Sequence, residues 1–403
     1  MATTAELIDS DHRHLWHSFT AQRILGEPEP LLLIDHAEAT DLCDPHGAPY
    51  IDGVSPGCSA RGHRHPAIDA AIRDQLDGVG QSTPPGLTHE PAIELGRCLV
   101  AIAPVGLQRV FYSDSGYSAV EMALRMAFQF WAQRGESHRT RFICLEDAYE
   151  GDAAELERVL AATGDQVAGV IVEPVVQATA GMRIQPSGYL RRVRELCDEY
   201  RLLLICDEVT TAFGRTGRMF ACEHEQVTPD LLCVGNGLTG GYLPLAATIT
   251  TELIYDGFLG RGEFQTFPHG HTLTANPLAC AAAIATLQTF ESERTLELLE
   301  SKIGLLSRLL EQRIAVLPGV ADVRQLGMMV GIELLAPDHD PTRQAVLAAR
   351  RRGAAIGSCG DVIVLTPALA ITEQDLRRLV AITASSIAEA YIGRLPGARR
   401  HSS

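Results

Sequence analysis

The sequence predicts an α/β protein built on a mostly parallel central sheet with helices on both faces. Three observations carry this. Strand-like and helix-like segments alternate through the middle of the chain, the order that builds parallel strands joined by crossover helices. Val167-Ala168-Gly169-Val170-Ile171-Val172 is a near-continuous apolar run, expected of a strand covered on both faces. At 403 residues, with 46% hydrophobic content, the chain can bury large cores and form more than one lobe.

The elements follow in order. Residues 109–113 read as a strand and 118–134 as a helix, with Ser118 and Glu121 spaced as a capping box. Residues 141–145 form a short strand, and one helix follows over 153–162. The apolar run 167–172 is the next strand. Tyr189, Val193, Leu196, Cys197 and Tyr200 recur at helical spacing. Residues 202–206 and Leu231–Val234 are further strands. In such a sheet the reactive groups belong at the carboxyl ends of the strands. The tail 394–400 is basic, broken by Pro396 and Gly397, and expected to fray. There is no internal repeat and no low-complexity segment.

Bulk properties exclude several functions. The net charge of −16 argues against nucleic acid or an anionic membrane as partner, and serves solubility. No apolar run approaches the ~18 residues of a membrane span. No leader pattern opens the chain, so a cytoplasmic location is expected. Ten cysteines are scattered singly, and none forms C-x-x-C, so free thiols are expected and no metal or redox motif. His63 and His65 in Arg61-Gly62-His63-Arg64-His65-Pro66 are read as structural, because a lone His-x-His is a weak metal signal.

The segments His14-Leu15-Trp16-His17-Ser18-Phe19-Thr20, Phe111 to Glu121, Cys206-Asp207-Glu208-Val209, Phe213-Gly214-Arg215-Thr216-Gly217, His269-Gly270-His271-Thr272 and Asn276-Pro277-Leu278-Ala279 together resemble motifs of class III, fold-type-I aminotransferases dependent on pyridoxal 5′-phosphate (PLP), nearest in pattern to the diaminopelargonate (adenosylmethionine-8-amino-7-oxononanoate) aminotransferases. His14-Leu15-Trp16-His17-Ser18-Phe19-Thr20 is similar to their opening motif. Phe111 to Glu121 resembles their phosphate loop, and Cys206-Asp207-Glu208-Val209 the strand end whose aspartate pairs with the pyridinium nitrogen. Phe213-Gly214-Arg215-Thr216-Gly217 follows as in the family. His269-Gly270-His271-Thr272 and Asn276-Pro277-Leu278-Ala279 resemble the segment that reaches the phosphate from the partner subunit. The resemblance runs from about residue 12 to about residue 390. It implies a large domain over 61–317, a small α+β lobe made from 1–60 and 318–390, a frayed tail over 391–403, and a homodimer with its active site at the subunit interface.

The resemblance also assigns the cofactor site: Gly116, Tyr117 and Ser118 at the phosphate, Tyr149 on the ring, Asp207 at the ring nitrogen and Thr272 from the partner. Departures cluster around it. Asn236, in Leu231 to Pro244, stands where the family has the lysine that holds PLP as a Schiff base and moves the proton. Tyr117 replaces a serine, and its ring is expected to fill the phosphate cup. Glu150 replaces a histidine and His271 a proline. In the substrate pocket Phe19 stands for a tyrosine, Cys58 lies in a segment that has lost paired tryptophans, and Asp361 replaces a carboxylate-binding arginine. The biotin-pathway substrate is therefore not expected. Between Asp152 and Glu173-Pro174 the family's long excursion is absent, which predicts a more open site.

So many changes around one cavity indicate natural divergence rather than a single inactivating substitution. The expected function is a repurposed scaffold: a cofactor-independent acid–base enzyme that cyclises, dehydrates, isomerises or cleaves a small biosynthetic intermediate. Asp207, His271, Glu150, Tyr149 and Asn236 are its expected catalytic residues, with no bound cofactor. Two alternatives stay open. One is PLP or its amine form, pyridoxamine phosphate (PMP), bound without the lysine, including an inactivated aminotransferase. The other is a non-catalytic protein that binds a metabolite or partner.

Overall fold

The structure, a computed structural model, describes residues 2–18, 31–54, 61–81, 86–144, 153–260, 265–335 and 340–392. Helix α1 (Thr4–His14) is followed by an antiparallel meander of β1 (His36–Glu38), β2 (Asp41–Cys43) and β3 (Pro49–Asp52). Helices α2 (Pro66–Leu76) and α3 (Glu90–Ile102) lead into β4 (Leu107–Ser113). The alternating region then runs α4 (Gly116–Gln133), β5 (Arg141–Cys144), α5 (Ala153–Thr163) and β6 (Val167–Val172). A small hairpin, β7 (Val176–Gln177) and β8 (Arg183–Ile184), precedes α6 (Tyr189–Tyr200), β9 (Leu203–Glu208), β10 (Leu231–Val234) and β11 (Ala246–Thr251). Beyond the short α7 (Glu252–Asp256), α8 (Pro277–Ser292) and α9 (Thr295–Arg313) cross to the C-terminal segment. That segment holds β12 (Val320–Leu326), β13 (Met329–Leu334), α10 (Pro341–Arg351), β14 (Ala354–Ala355), β15 (Gly357–Cys359), β16 (Val362–Leu365) and α11 (Glu373–Ala390).

The central sheet has the order β4-β11-β10-β9-β6-β5. Strands β5, β6, β9 and β10 are parallel, and β11 is antiparallel to both β10 and β4. The reversal follows from connectivity: β10 reaches β11 through a loop without a crossover helix, and a direct return pairs antiparallel. Alternation sorts the two faces. Leu203, Ile205, Ala168, Leu231 and Cys233 pack against the α4 residues Ala119, Ala123, Met126, Phe130 and Trp131. Leu204, Cys206, Val170, Val172 and Leu232 face the other way, onto Val193 and Leu196 of α6. Burial on both faces is the reason these strands read as continuous apolar runs.

The terminal segments join. Strand β14 pairs in parallel with β3, Ala354 opposite Ile51. Strands β12, β13, β16 and β15 make a separate antiparallel sheet.

Two local expectations are corrected. Helix α4 starts before residue 118, because Ser115 is the cap and its Oγ accepts from the Ser118 backbone N–H at 3.2 Å. Glu121 pairs with Arg125 one turn on instead of closing a capping box. Strand β9 runs on through Glu208, past the expected end at 206, because Asp207 and Glu208 keep their register with Cys233 and Val234 of β10.

Candidate active site at the strand ends

Alternation along β9 decides which acid faces which side. Asp207 continues the series Leu203, Ile205 on the α4 face, and Glu208 points to the opposite face. Glu208 is fully buried and satisfied, accepting from the backbone N–H groups of Ala221 (2.6 Å) and Cys222 (2.8 Å) and from Thr211 Oγ1 (3.1 Å). Burial pushes its carboxyl up to about 7 against those donors. It pins the 209–222 loop beneath the sheet and is not part of the open site.

Asp207 is partly buried and far less satisfied. Its one hydrogen bond is Oδ1 accepting from Val209 N–H at 3.1 Å. Burial pushes its carboxyl up to about 6, the Val209 bond opposes this, and the charge of Glu173 adds to it. Glu173 is a residue the sequence reading passed over. It follows β6 directly, on the same face, and Val172 is in register with Cys206, so Glu173 stands level with Asp207. The Glu-Pro dipeptide at the end of an apolar run was the available signal.

The amino end of α4 closes on these acids. A Cβ on Gly116 would lie 2.2 Å from Val209 Cγ1, and one on Gly235 would lie 3.3 Å from Gly116 Cα. Only glycines allow the helix start, the β9 exit and the β10 exit to touch. Asn236, half-buried, is therefore next to the helix start and one residue beyond the β10 exit loop's glycine. The first N–H groups of α4 have no partners within the helix, which makes this end an anion cradle. Ser118 Oγ lies 3.0 Å from Ser115 Oγ there. Ser113 Oγ, fully buried just before the turn, has no hydrogen-bond partner. Tyr117 is 82% exposed. At the second helical position its ring stands at the same helix end.

The remaining site residues are placed apart. His271 N–H donates to Thr274 Oγ1 at 3.0 Å, and its buried Nδ1 has no hydrogen-bond partner. The Thr272 carbonyl accepts from Gln81 Nε2 at 3.2 Å. Asp361 is exposed at the β15–β16 turn, where its carbonyl accepts from Leu334 N–H. Phe19, Cys58, Tyr149 and Glu150 lie outside the described residues. His63 and His65 are held by Asp52 (2.9 Å) and Glu293 (2.8 Å). Two cavities lie elsewhere. One of about 850 Å³ is lined by Leu124, Phe128, Phe142, Pro268 and His269, and one of about 650 Å³ by Ile93, Val100, Phe111, Tyr255 and Phe258.

This sheet, with glycines at a helix start and an acid at the central strand end, defines the fold-type-I architecture of PLP-dependent transferases. The sequence profile of the family Aminotransferase class-III matches residues 25–156 and 152–387, and the chain belongs to that family. It is 45% identical to the adenosylmethionine-8-amino-7-oxononanoate aminotransferase of Nitratidesulfovibrio vulgaris, covering 94% of this chain and 80% of that protein. The crystal structure of the Methanocaldococcus jannaschii enzyme of the same name superposes with a TM-score of 0.92 at 36% identity, over 96% and 99% of the two chains. An amine transaminase from an uncultivated Pseudomonas species, solved in its PLP-bound form, gives a TM-score of 0.85 at 29% identity, over 94% and 99%. The alignment to the N. vulgaris protein spans 438 positions, more than this chain's own 403 residues, and the profile match breaks at 152–156.

These likenesses overturn the leading expectation. A cofactor-independent lyase, isomerase or cyclase, a non-catalytic protein, and a site without cofactor do not fit a chain this close to aminotransferases along its whole length. The error has a physical root. Changes at single pocket positions were weighed as loss of the cofactor, while the geometry that carries the ring and phosphate depends on backbone packing at Gly116, Val209 and Gly235.

The residues present fit PLP in part. A carboxylate with one hydrogen bond, raised by burial, suits a ring N–H cation beside it, and the helix start suits a phosphate. The covalent link does not fit. Lys302 is the one lysine in the sequence, and its Nζ donates to the Leu369 carbonyl at 2.9 Å, beside the charges of Arg61 and Glu373.

Proposed function

We propose that the protein is a class III enzyme of aminotransferase type that holds PLP or PMP at the strand ends without covalent attachment, and moves an amino group to or from a small-molecule substrate. Asp207 carries this reading: an under-bonded carboxylate at the central strand end, beside an anion-binding helix start. The bound cofactor would supply an electron-withdrawing ring. Asp207 would keep a proton on the ring nitrogen. The N–H groups of residues 116 and 117, with the Ser118 hydroxyl, would take the phosphate.

Asn236 takes the place that the resemblance assigns to the attachment lysine. Its amide can donate and accept hydrogen bonds but takes up no proton near neutral pH. It orients a reacting group, and the amine must enter with the donor or with PMP. We infer a homodimer as well, supported by exposed Ile93 and Leu273, each more than half exposed, and by the apolar cavity at Val100, Tyr255 and Phe258.

The test is binding of PLP and PMP to the purified protein, followed by mass spectrometry after borohydride reduction with PLP. We expect both cofactor forms to bind, no adduct at residue 236, and an amino-donor-dependent change in the absorbance of bound PLP. Absence of binding by either form would overturn the reading.

A further inference from the structure

We propose that Glu173 is a positioning residue that sets the protonation of Asp207, so that the two acids act on a bound ring cation as one pair. This rests on the reading that the strand ends hold PLP or PMP.

The geometry comes from the sheet. Strands β6 and β9 are parallel neighbours, with Ile171 opposite Ile205 and Val172 opposite Cys206. Glu173 directly follows β6 and Asp207 is the next residue of β9, and the alternation that puts Ile171 and Ile205 on the α4 face carries both there. Two carboxylates so placed repel in a site partly shut from water, and one of them tends to keep a proton. Their hydrogen bonds decide which. Glu173 accepts from Ala178 N–H at 2.8 Å and from the Thr179 hydroxyl. Asp207 accepts from Val209 N–H alone. Hydrogen bonds donated to a carboxylate favour its charged form. Glu173 therefore keeps its charge, and Asp207 is the member of the pair that takes up a proton as pH falls through about 6.

The Glu173 arrangement is built into the chain. Its two donors come from the loop between β7 and β8, and the Thr179 carbonyl in turn accepts from the Cys359 thiol at 3.7 Å, on β15 of the C-terminal sheet. The other groups facing Asp207 do not compete. Cys233 of β10 is a buried thiol pushed well up by burial, and so neutral. The first turn of α4 carries no acid, and Asn236 is uncharged. Glu208 points through the sheet to its own donors. Burial raises both the Glu173 and the Asp207 carboxyls, and the Glu173 charge raises Asp207 further.

The experiment is PMP affinity measured from pH 5 to 8 in the wild type and in Glu173→Gln, Glu173→Asp and Thr179→Val. Wild-type affinity should fall on the acid side of about pH 6, where Asp207 takes up its proton. In Glu173→Gln this fall should move to lower pH, because the neighbouring charge is gone. Glu173→Asp keeps the charge and should stay near the wild type. Thr179→Val removes a donor to Glu173, leaves more of its charge neutralised, and should move the fall in the same direction by less. An unmoved fall in Glu173→Gln, or in Thr179→Val if that protein alone folds, overturns the proposal.

A cofactor-free arm separates this failure from failure of the site itself. The pH-dependent stability difference between wild type and Asp207→Asn reports the Asp207 titration in the free protein. That difference should shift to lower pH in the Glu173→Gln background. If PMP does not bind but the shift occurs, the functional reading falls and the pairing stands. If PMP binds and no shift occurs in either arm, the pairing falls alone.

Discussion

Asp207 and Asn236 are the two residues on which the proposed function turns. In the proposed site the aspartate would pair with a ring cation, and Asn236 would stand where the resemblance places the tethering amine. Asp207→Asn is nearly isosteric, so the protein should fold while its affinity for PLP and PMP drops about 10- to 100-fold, the loss of one charge-assisted hydrogen bond. Isothermal titration checks this, and unchanged affinity would move the ring away from β9. The free protein carries the signature of the same group. The Asp207 carboxyl is raised in the fold, so its contribution to stability is present below pH ~4 and is lost as pH rises through about 6. Asn236→Lys is the complementary test. In a Lys302→Arg background the introduced lysine is the chain's one lysine, so borohydride with PLP should fix cofactor on its side chain at 236 in that variant and not in its parent. No side-chain adduct at 236 would place the PLP carbonyl elsewhere.

The helix α4 and the 209–222 loop hold these residues by backbone contact, and each has its own test. Gly116→Ala places a methyl 2.2 Å from Val209 Cγ1, so the helix start or the β9 exit must give way. A loss of ~1–3 kcal/mol in urea denaturation is expected, with weaker PMP binding, and Val209→Ala should restore part of both. A double mutant no better than Gly116→Ala would show that the helix start does not bear on Val209. Beneath the sheet, Glu208→Gln turns an amide NH₂ toward the N–H groups of Ala221 and Cys222. It should cost ~2–3 kcal/mol, since at least one buried donor loses its acceptor. A change below the error of denaturation would mean that the loop finds other partners. The raised carboxyl of Glu208 also loses stability for the fold as pH rises from about 4.5 through about 7.

At the scale of the whole molecule, the family resemblance assigns the segment around Thr272 to the partner subunit's site, so a second copy is expected to complete the strand ends. Sedimentation at micromolar protein should show a dimer. A stable, folded monomer would contradict both the shared site and the exposed apolar surface at Ile93 and Leu273. The shortened segment after residue 152 belongs to this scale too. The relatives' alignments carry positions that this chain lacks, and the profile match breaks there.

The sequence by itself determined the alternating architecture, the strand at Leu231–Val234, the acid at the end of β9 and the asparagine at 236. Each is a local property: an apolar run, a turn, a residue type. The family resemblance also came from local motifs, but the functional conclusion drawn from their departures was wrong, because a changed side chain does not report whether the surrounding backbone still forms a cradle. Only the tertiary structure decided that Asp207 and Glu208 face opposite sides of the sheet, that Ser115 caps α4, that Tyr117 is exposed, and that Glu173 follows β6 level with Asp207. Strand register and helix docking made those choices, and both depend on pairing between segments far apart in the chain.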